Sequence, residues 1–388
     1  MTLPVRPTRT PPPMLFETAQ TWEEHWWGMP AYSMNDATPT RRVMINFMTE
    51  EDVVKFSQQT GIPLTAKSDS AWYPPQAPLR GQYRYNGSPM PTRYPICIPS
   101  KGRAQYMTTP RLLDRMGVDY RVFVEETEGD AYRAVLGAER VVVMPFADLG
   151  QGSIPARNFL WDWAVEQGAA RHWILDDNIQ LFARMNNNRR LSVFGGGFFA
   201  ALETFADRYT NLALIGPHGK GFANDRTPQS PLVWNTRVYS CSLIDTSLPL
   251  RWRGRYNEDT DLCLRALKLG WCTAVTRSLL HQKAVTAGAK GKAMPGGNTD
   301  NVYNTGDHRR AFAESLREQH PDVVEVVWKF NRWHHEVNYR PFAGNRPALR
   351  PGITPTKAVN DFGMYLEAAE GVNDAEALAD EEVEVMDG

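Results

Sequence analysis

With 388 residues, 42% of them hydrophobic, the chain can bury a sizeable core, and its length suggests two or three domains. No stretch approaches the apolar length of a membrane span. The Pro-rich start MTLPVRPTRTPPP lacks the apolar run of a signal peptide, so a protein that is neither secreted nor membrane-bound is expected. The net charge of −1 hides an asymmetry: residues 361–388 hold ten acidic and no basic residues, leaving 43 basic against 34 acidic residues before them. That +9 body fits a polyanionic partner and equally an ordinary soluble surface.

In chain order, residues 1–13 read as a disordered Pro/Thr/Arg arm. Residues 14–78 are expected to form a small α+β accessory domain. Within it RRVMINFMT (41–49) has strand character, and EEDVVKFSQQTG (50–61) has helix character with Thr49 as N-cap and Gly61 as C-cap. The Trp cluster of WEEHWWGMP (22–30) suits either a base-stacking surface or a small core. A Pro/Gly/Arg linker is expected over 79–92, a larger domain over 93–340, and an extension with the acidic tail over 341–388.

The larger domain opens with YPICIPS, a strand ending in Ser100, Lys101, Gly102 and Arg103, where basic side chains can meet a nucleotide. The pattern TPRLLDRMG, YRVFVEE, DAYRAVLG, RVVVMP continues as helix, strand, helix, strand, which implies a parallel sheet. A Gly-rich entry with Pro155 starts the next helix, with Arg157 and Asn158 in its first turns. Such a start can meet an anion or simply be exposed. The strand of RHWILDDN then ends in Asp176, Asp177 and Asn178. Adjacent carboxylates at a strand's carboxyl end suit a divalent cation holding a diphosphate, and they also suit a solvated turn. Further on come a hairpin turning at NNN (186–188), a helix in 195–211 and strands in 212–247. A helix follows with Asn257 as N-cap and Glu258, Asp259 and Asp261 in its first turn, a pattern that helix electrostatics alone explains. CTAVTRSLLHQK returns as a strand carrying His281, followed by a Gly/Lys-rich segment with Lys290 and Lys292. Four cysteines (Cys97, Cys241, Cys263, Cys272) lie too far apart for a metal knuckle and read as buried thiols.

IPSKGRA, PARN, WILDDN, NEDTDLCLR and the later His281 come in the order of a GT-A glycosyltransferase core. More narrowly, the run from 93 to about 283 resembles the TET/JBP-associated glycosyltransferases of bacteriophages. The resemblance implies an α/β fold, a GT-A-type Rossmann-like mixed sheet flanked by helices. It implies Mn²⁺ or Mg²⁺ held by Asp177 and His281, with Asp176 near the ribose. Ser100, Lys101, Arg103, Arg157 and Asn158 would line the nucleotide of a UDP-sugar such as UDP-glucose or UDP-GlcNAc. Glu258 and Asp259 match the catalytic carboxylates, Asp259 being favoured as the base that deprotonates the acceptor, and Lys283, Lys290 and Lys292 would close over the diphosphate. The implied acceptor is 5-hydroxymethylpyrimidine in phage DNA, chiefly 5-hydroxymethylcytosine, modified in the cytoplasm of the infected host cell. A glycan or protein acceptor, or a non-catalytic DNA-binding protein on the same scaffold, are the alternatives.

Overall fold

The computed structural model describes residues 22–65, 68, 70–73, 83–284, 296–297 and 308–369. The first half of the larger domain alternates as expected. Strands β2 (Ile96–Pro99), β3 (Arg121–Val124), β4 (Val141–Val143) and β5 (Arg171–Leu175) are interleaved with helices α2 (Thr109–Met116), α3 (Gly129–Leu136) and α4 (Ile154–Glu166). They pair in parallel in the order β5-β2-β3-β4, the result expected when each strand returns through a helical crossover. All five residues of β5 are buried, as a strand covered on both faces requires.

Beyond β5 the connections turn antiparallel. β6 (Ile179–Asn186) and β7 (Arg189–Phe194) form a hairpin whose two turn residues, Asn187 and Asn188, both have positive φ. Asn tolerates that region, which is why the NNN run marks the turn. Helix α5 (Gly197–Ala206) and strands β8 (Leu212–Gly219), β9 (Leu232–Trp234) and β10 (Cys241–Asp245) follow. Then come α6 (Glu258–Lys268) and the long strand β11 (Cys272–Lys283). Together with β1 (Tyr83–Asn86) and β14 (Tyr365–Ala368) they build a mixed 12-stranded sheet. Its order is β14-β1-β7-β6-β11-β8-β10-β5-β2-β3-β4, with β9 on β11. A buried apolar cluster running from Trp26 to Met364 fills one face, and a second around Trp161, Ile174 and Leu262 fills the other. All four cysteines are buried and unpaired.

Several expectations change in three dimensions. Helix α1 (Glu50–Thr60) has its Thr49 capping box and Gly61 C-cap, but 41–49 forms no strand. Val43, Met44 and Met48 are exposed there, so alternation found no sheet edge to pair with. The Trp segment does not make a core of its own. Trp26 and Met29 sit in the main cluster, and His25 Nδ1 lies 2.9 Å from the Tyr209 hydroxyl. Nine residues cannot cover three indoles, whereas the body offers Phe205, Tyr209 and Trp234. The expected linker contains β1, paired with β7 and β14, and Asp361 of the C-terminal extension pairs with buried Arg184. The stretch 323–339 is a hairpin, β12 (Val324–Lys329) and β13 (Arg332–Val337), packed on α7 (Arg309–Gln319). No helix among the described residues is long and apolar enough to cross a membrane.

Candidate active site

The two aspartates after β5 are pinned by their backbones before their side chains do anything. The Asp176 amide donates to the Ser240 carbonyl at 2.8 Å. The Asp177 carbonyl accepts from the Thr108 and Thr109 amides at 3.1 Å each. The adjacent side chains therefore diverge into different surroundings. Asp177 is buried and accepts from the Ser100 hydroxyl and the Arg103 guanidinium, both at 2.6 Å. Burial pushes its carboxyl above the usual range, and Arg103 and Ser100 offset only part of that push. Burial disfavours charge on Asp176 as well, but there it is outweighed. Lys283 Nζ at 2.8 Å and Arg157 at 3.6 Å hold Asp176 down at about 2.

Arg157, in the first turns of α4, is the hub of the other half. Its buried guanidinium lies 3.6 Å from Asp176, 3.5 Å from Glu258 and 3.6 Å from Asp259, and packs over the Trp252 ring at 4.6 Å. Three motifs far apart in sequence thus meet on one cation. Glu258 is further fixed by the Ser153 hydroxyl at 3.1 Å. Asp259 differs: its Oδ1 is buried and has no hydrogen-bond partner among the described residues, while 24% of the side chain stays accessible. Burial, reinforced by Glu258 and Asp176 and opposed by Arg157, raises its carboxyl to about 7. A carboxylate that exchanges its proton near neutrality, with unspent hydrogen-bonding capacity, has the properties of a general base.

The Ser100–Arg103 loop forms a second layer. Ser100 donates to Asp177, so the Tyr132 hydroxyl, 2.8 Å away, donates to Ser100 and accepts the Arg103 amide at 2.9 Å. Lys101 Nζ bridges Glu125 and Asp148, each at 2.6 Å. Of the Gly/Lys-rich segment, Gly296 and Gly297 are described and lie on this loop: the Gly297 amide donates to the Lys101 carbonyl, and Arg103 donates to the Gly296 carbonyl. A Cβ on Gly296 would fall 2.3 Å from the Gly102 carbonyl oxygen, so only glycine allows this approach. Lys290 and Lys292 lie outside the described residues.

His281 is buried on β11, with Nδ1 3.1 Å from the Pro217 carbonyl. Burial lowers it to about 4, assisted by Lys283 and opposed by Asp176. The ring is therefore neutral, and the Nδ1 proton serves the carbonyl. That leaves the Nε2 lone pair as a donor, the tautomer a metal-ligating histidine needs. Among the described residues no three His, Cys, Asp or Glu converge into a closed metal cage. A carboxylate and an imidazole can serve Mg²⁺ or Mn²⁺ when substrate phosphates complete the shell, and Asp176 and His281 are the residues here that could supply them.

The structure brings together Arg157, Asp176, Glu258 and Asp259, and separately Ser100, Arg103 and Asp177. The Asp176 carboxylate acts on His281, raising its pKa against the effect of burial. Asn158 turns away: its amide exchanges two hydrogen bonds with the Trp252 backbone at 2.9 and 3.0 Å. Asn257 does not cap α6 with its side chain; its amide donates to the Phe312 carbonyl of α7 at 2.8 Å. Sequence reasoning missed Ser240, which holds Lys283 at 3.0 Å, along with Ser153 and Tyr132. Nothing local marks those three, nor Trp252, whose stacking partner Arg157 is 95 residues away. No curated protein matches the chain. A family model described as TET-Associated Glycosyltransferase matches residues 94–292, from just before β2 to beyond β11 and so across the whole of this site. Over half of the chain lies in that match, and the chain belongs to the TET-associated glycosyltransferase family.

Proposed function

We propose that the chain transfers a sugar from a UDP-sugar to the hydroxyl of a 5-hydroxymethylpyrimidine, chiefly 5-hydroxymethylcytosine, in phage DNA. The observation that carries the reaction class is Asp259: a raised, partly accessible carboxyl with one oxygen that accepts no hydrogen bond among the described residues, beside a buried arginine. In this reading Asp259 removes the acceptor proton and Glu258 fixes Arg157 from the side. Ser100, Lys101 and Arg103 shape the nucleotide loop, and Asp177 holds that loop in place rather than meeting substrate. Arg157 and Lys283 stand on the face where the leaving diphosphate develops charge. Asp176 and His281 are the residues that would hold Mn²⁺ or Mg²⁺. Such an ion neutralises charge on the departing diphosphate. The DNA acceptor rests on the family and on the basic body that precedes the acidic tail.

The test is a transfer assay with a panel of UDP-sugars, Mn²⁺ or EDTA, and DNA with or without 5-hydroxymethylcytosine, read by mass spectrometry of the digested nucleosides. A hexose-sized gain confined to the hydroxymethylated base, lost in EDTA, is expected. UDP release without any DNA product would keep the transferase and remove the DNA acceptor.

A further inference from the structure

The β12–β13 hairpin has features that its packing does not require. Its two-residue turn, Phe330 and Asn331, has positive φ at both positions, 52° and 57°, as a type I′ turn needs. Asn and Gly suit such positions, and a bulky aromatic does not. Phe330 is nevertheless there, and it is 77% exposed. Next to it Trp328 is 56% exposed and faces Trp333 edge-on across the strands at 5.3 Å. The tip carries Arg332 and Lys329, the latter paired with Glu336 at 2.6 Å, and Arg310 of α7, paired with Glu314 at 2.7 Å, lies over the Trp333 ring at 5.0 Å. An exposed aromatic point beside the Arg332 guanidinium is suited to a stacked polyanion. A purely apolar partner would leave that charge desolvated.

The hairpin is also tied mechanically to the reacting end. Both its strands pack on α7. On α7, Phe312 stacks on Tyr256 at 3.9 Å, and its carbonyl accepts the Asn257 amide. Asn257 immediately precedes Glu258 and Asp259. The hairpin and α7 lie beyond residue 308, outside the family match at 94–292, while Tyr256 and Asn257 lie within it.

We propose that this hairpin is a duplex-opening wedge, in which Phe330 inserts beside the target nucleotide and takes the stacking place of the extruded base. This rests on the DNA-acceptor reading above. A base paired inside a duplex cannot bring its 5-hydroxymethyl group to a partly buried carboxylate without leaving the stack. An inserted apolar side chain is a common way to offset that unstacking.

The experiment uses the full chain and Phe330→Asn. Asn removes the ring and relieves the turn, so the variant keeps its hairpin. Substrates are a 5-hydroxymethylcytosine duplex with 2-aminopurine beside the target, and the same strand alone. Transfer to the duplex should fall about tenfold or more, given the usual worth of one aromatic–base stack. The 2-aminopurine fluorescence rise on binding should disappear. Transfer to the single strand should stay unchanged and thermal stability should not fall. Equal loss on both substrates, or full duplex activity in the variant, overturns the wedge alone. Wild-type protein that hydrolyses donor yet modifies neither DNA removes the acceptor reading and the wedge with it.

Discussion

Asp259→Asn separates chemistry from stability in a way the structure makes quantitative. Burial raises the Asp259 carboxyl from 3.8 to about 7. Between those values the folded protein keeps a proton that the unfolded chain has lost. Stability therefore falls as pH rises through that window, then levels off above it. At about 1.4 kcal/mol per unit, the ceiling on this cost is about 4 kcal/mol above pH 7. Asn is neutral and nearly isosteric, and Arg157 keeps Glu258 and Asp176 as partners. The variant should match wild type near pH 4 and gain stability steadily, reaching about 1–4 kcal/mol at pH 8. Urea unfolding of both proteins at pH 4.5, 6 and 8 reads this difference directly. Transfer by the variant should meanwhile drop about 10²–10⁴-fold. A stability difference that does not change with pH, or a variant less stable at pH 8, would refute the buried-carboxyl argument. Retained activity would refute the assignment of the base.

Asp177→Ala removes the carboxylate from a buried ion pair and leaves the Arg103 charge without its counter-ion, so it should cost about 3–5 kcal/mol in chemical denaturation, beyond any loss of turnover. Asn158→Ala breaks two hydrogen bonds to the Trp252 backbone; a loss of about 1–3 kcal/mol with kcat within a few-fold of wild type is expected, and a collapse of kcat at full stability would restore Asn158 to the substrate. Lys283→Met takes the nearest cation from Asp176, so the Asp176 carboxyl should titrate above its present value of about 2 by carboxyl NMR, and donor KM should rise.

Much of the fold is written in local pattern. The alternation from β2 to β5, the Asn187–Asn188 turn and the Thr49 cap are signals spanning a few residues, and each forms as expected. What fails is what depends on a distant partner. The 41–49 run has the right alternation but no edge to join. Asn257 has the right identity for a cap but is claimed by Phe312, 55 residues away. The same limit applies inside the site. Motif order brings the carboxylates to one end of the sheet, but it does not say which of two adjacent aspartates faces which cation. That is decided by Ser240 holding one peptide and Thr108 and Thr109 holding the next.

The charges at the centre lead to one more test. Asp176, Asp177, Glu258 and Asp259 face Arg103, Arg157 and Lys283, so the group is balanced once one carboxyl is protonated. Asp259, raised to about 7, is the one that keeps its proton. A bound diphosphate upsets that balance. One uncompensated negative charge about 6 Å away, at an effective dielectric of about 20, is worth roughly 3 kcal/mol, or about two pH units on the base. The pH profile of kcat/KM reports the free protein and that of kcat reports the donor complex. If the diphosphate arrives without a compensating cation, the acidic limb of kcat, set by protonation of Asp259, should lie about two units above that of kcat/KM. If Asp176 and His281 bring a divalent ion with it, the two limbs should nearly coincide. Coincident limbs in protein stripped of divalent ions would show that Arg157 and Lys283 alone absorb the charge, and would remove the electrostatic reason for placing an ion there.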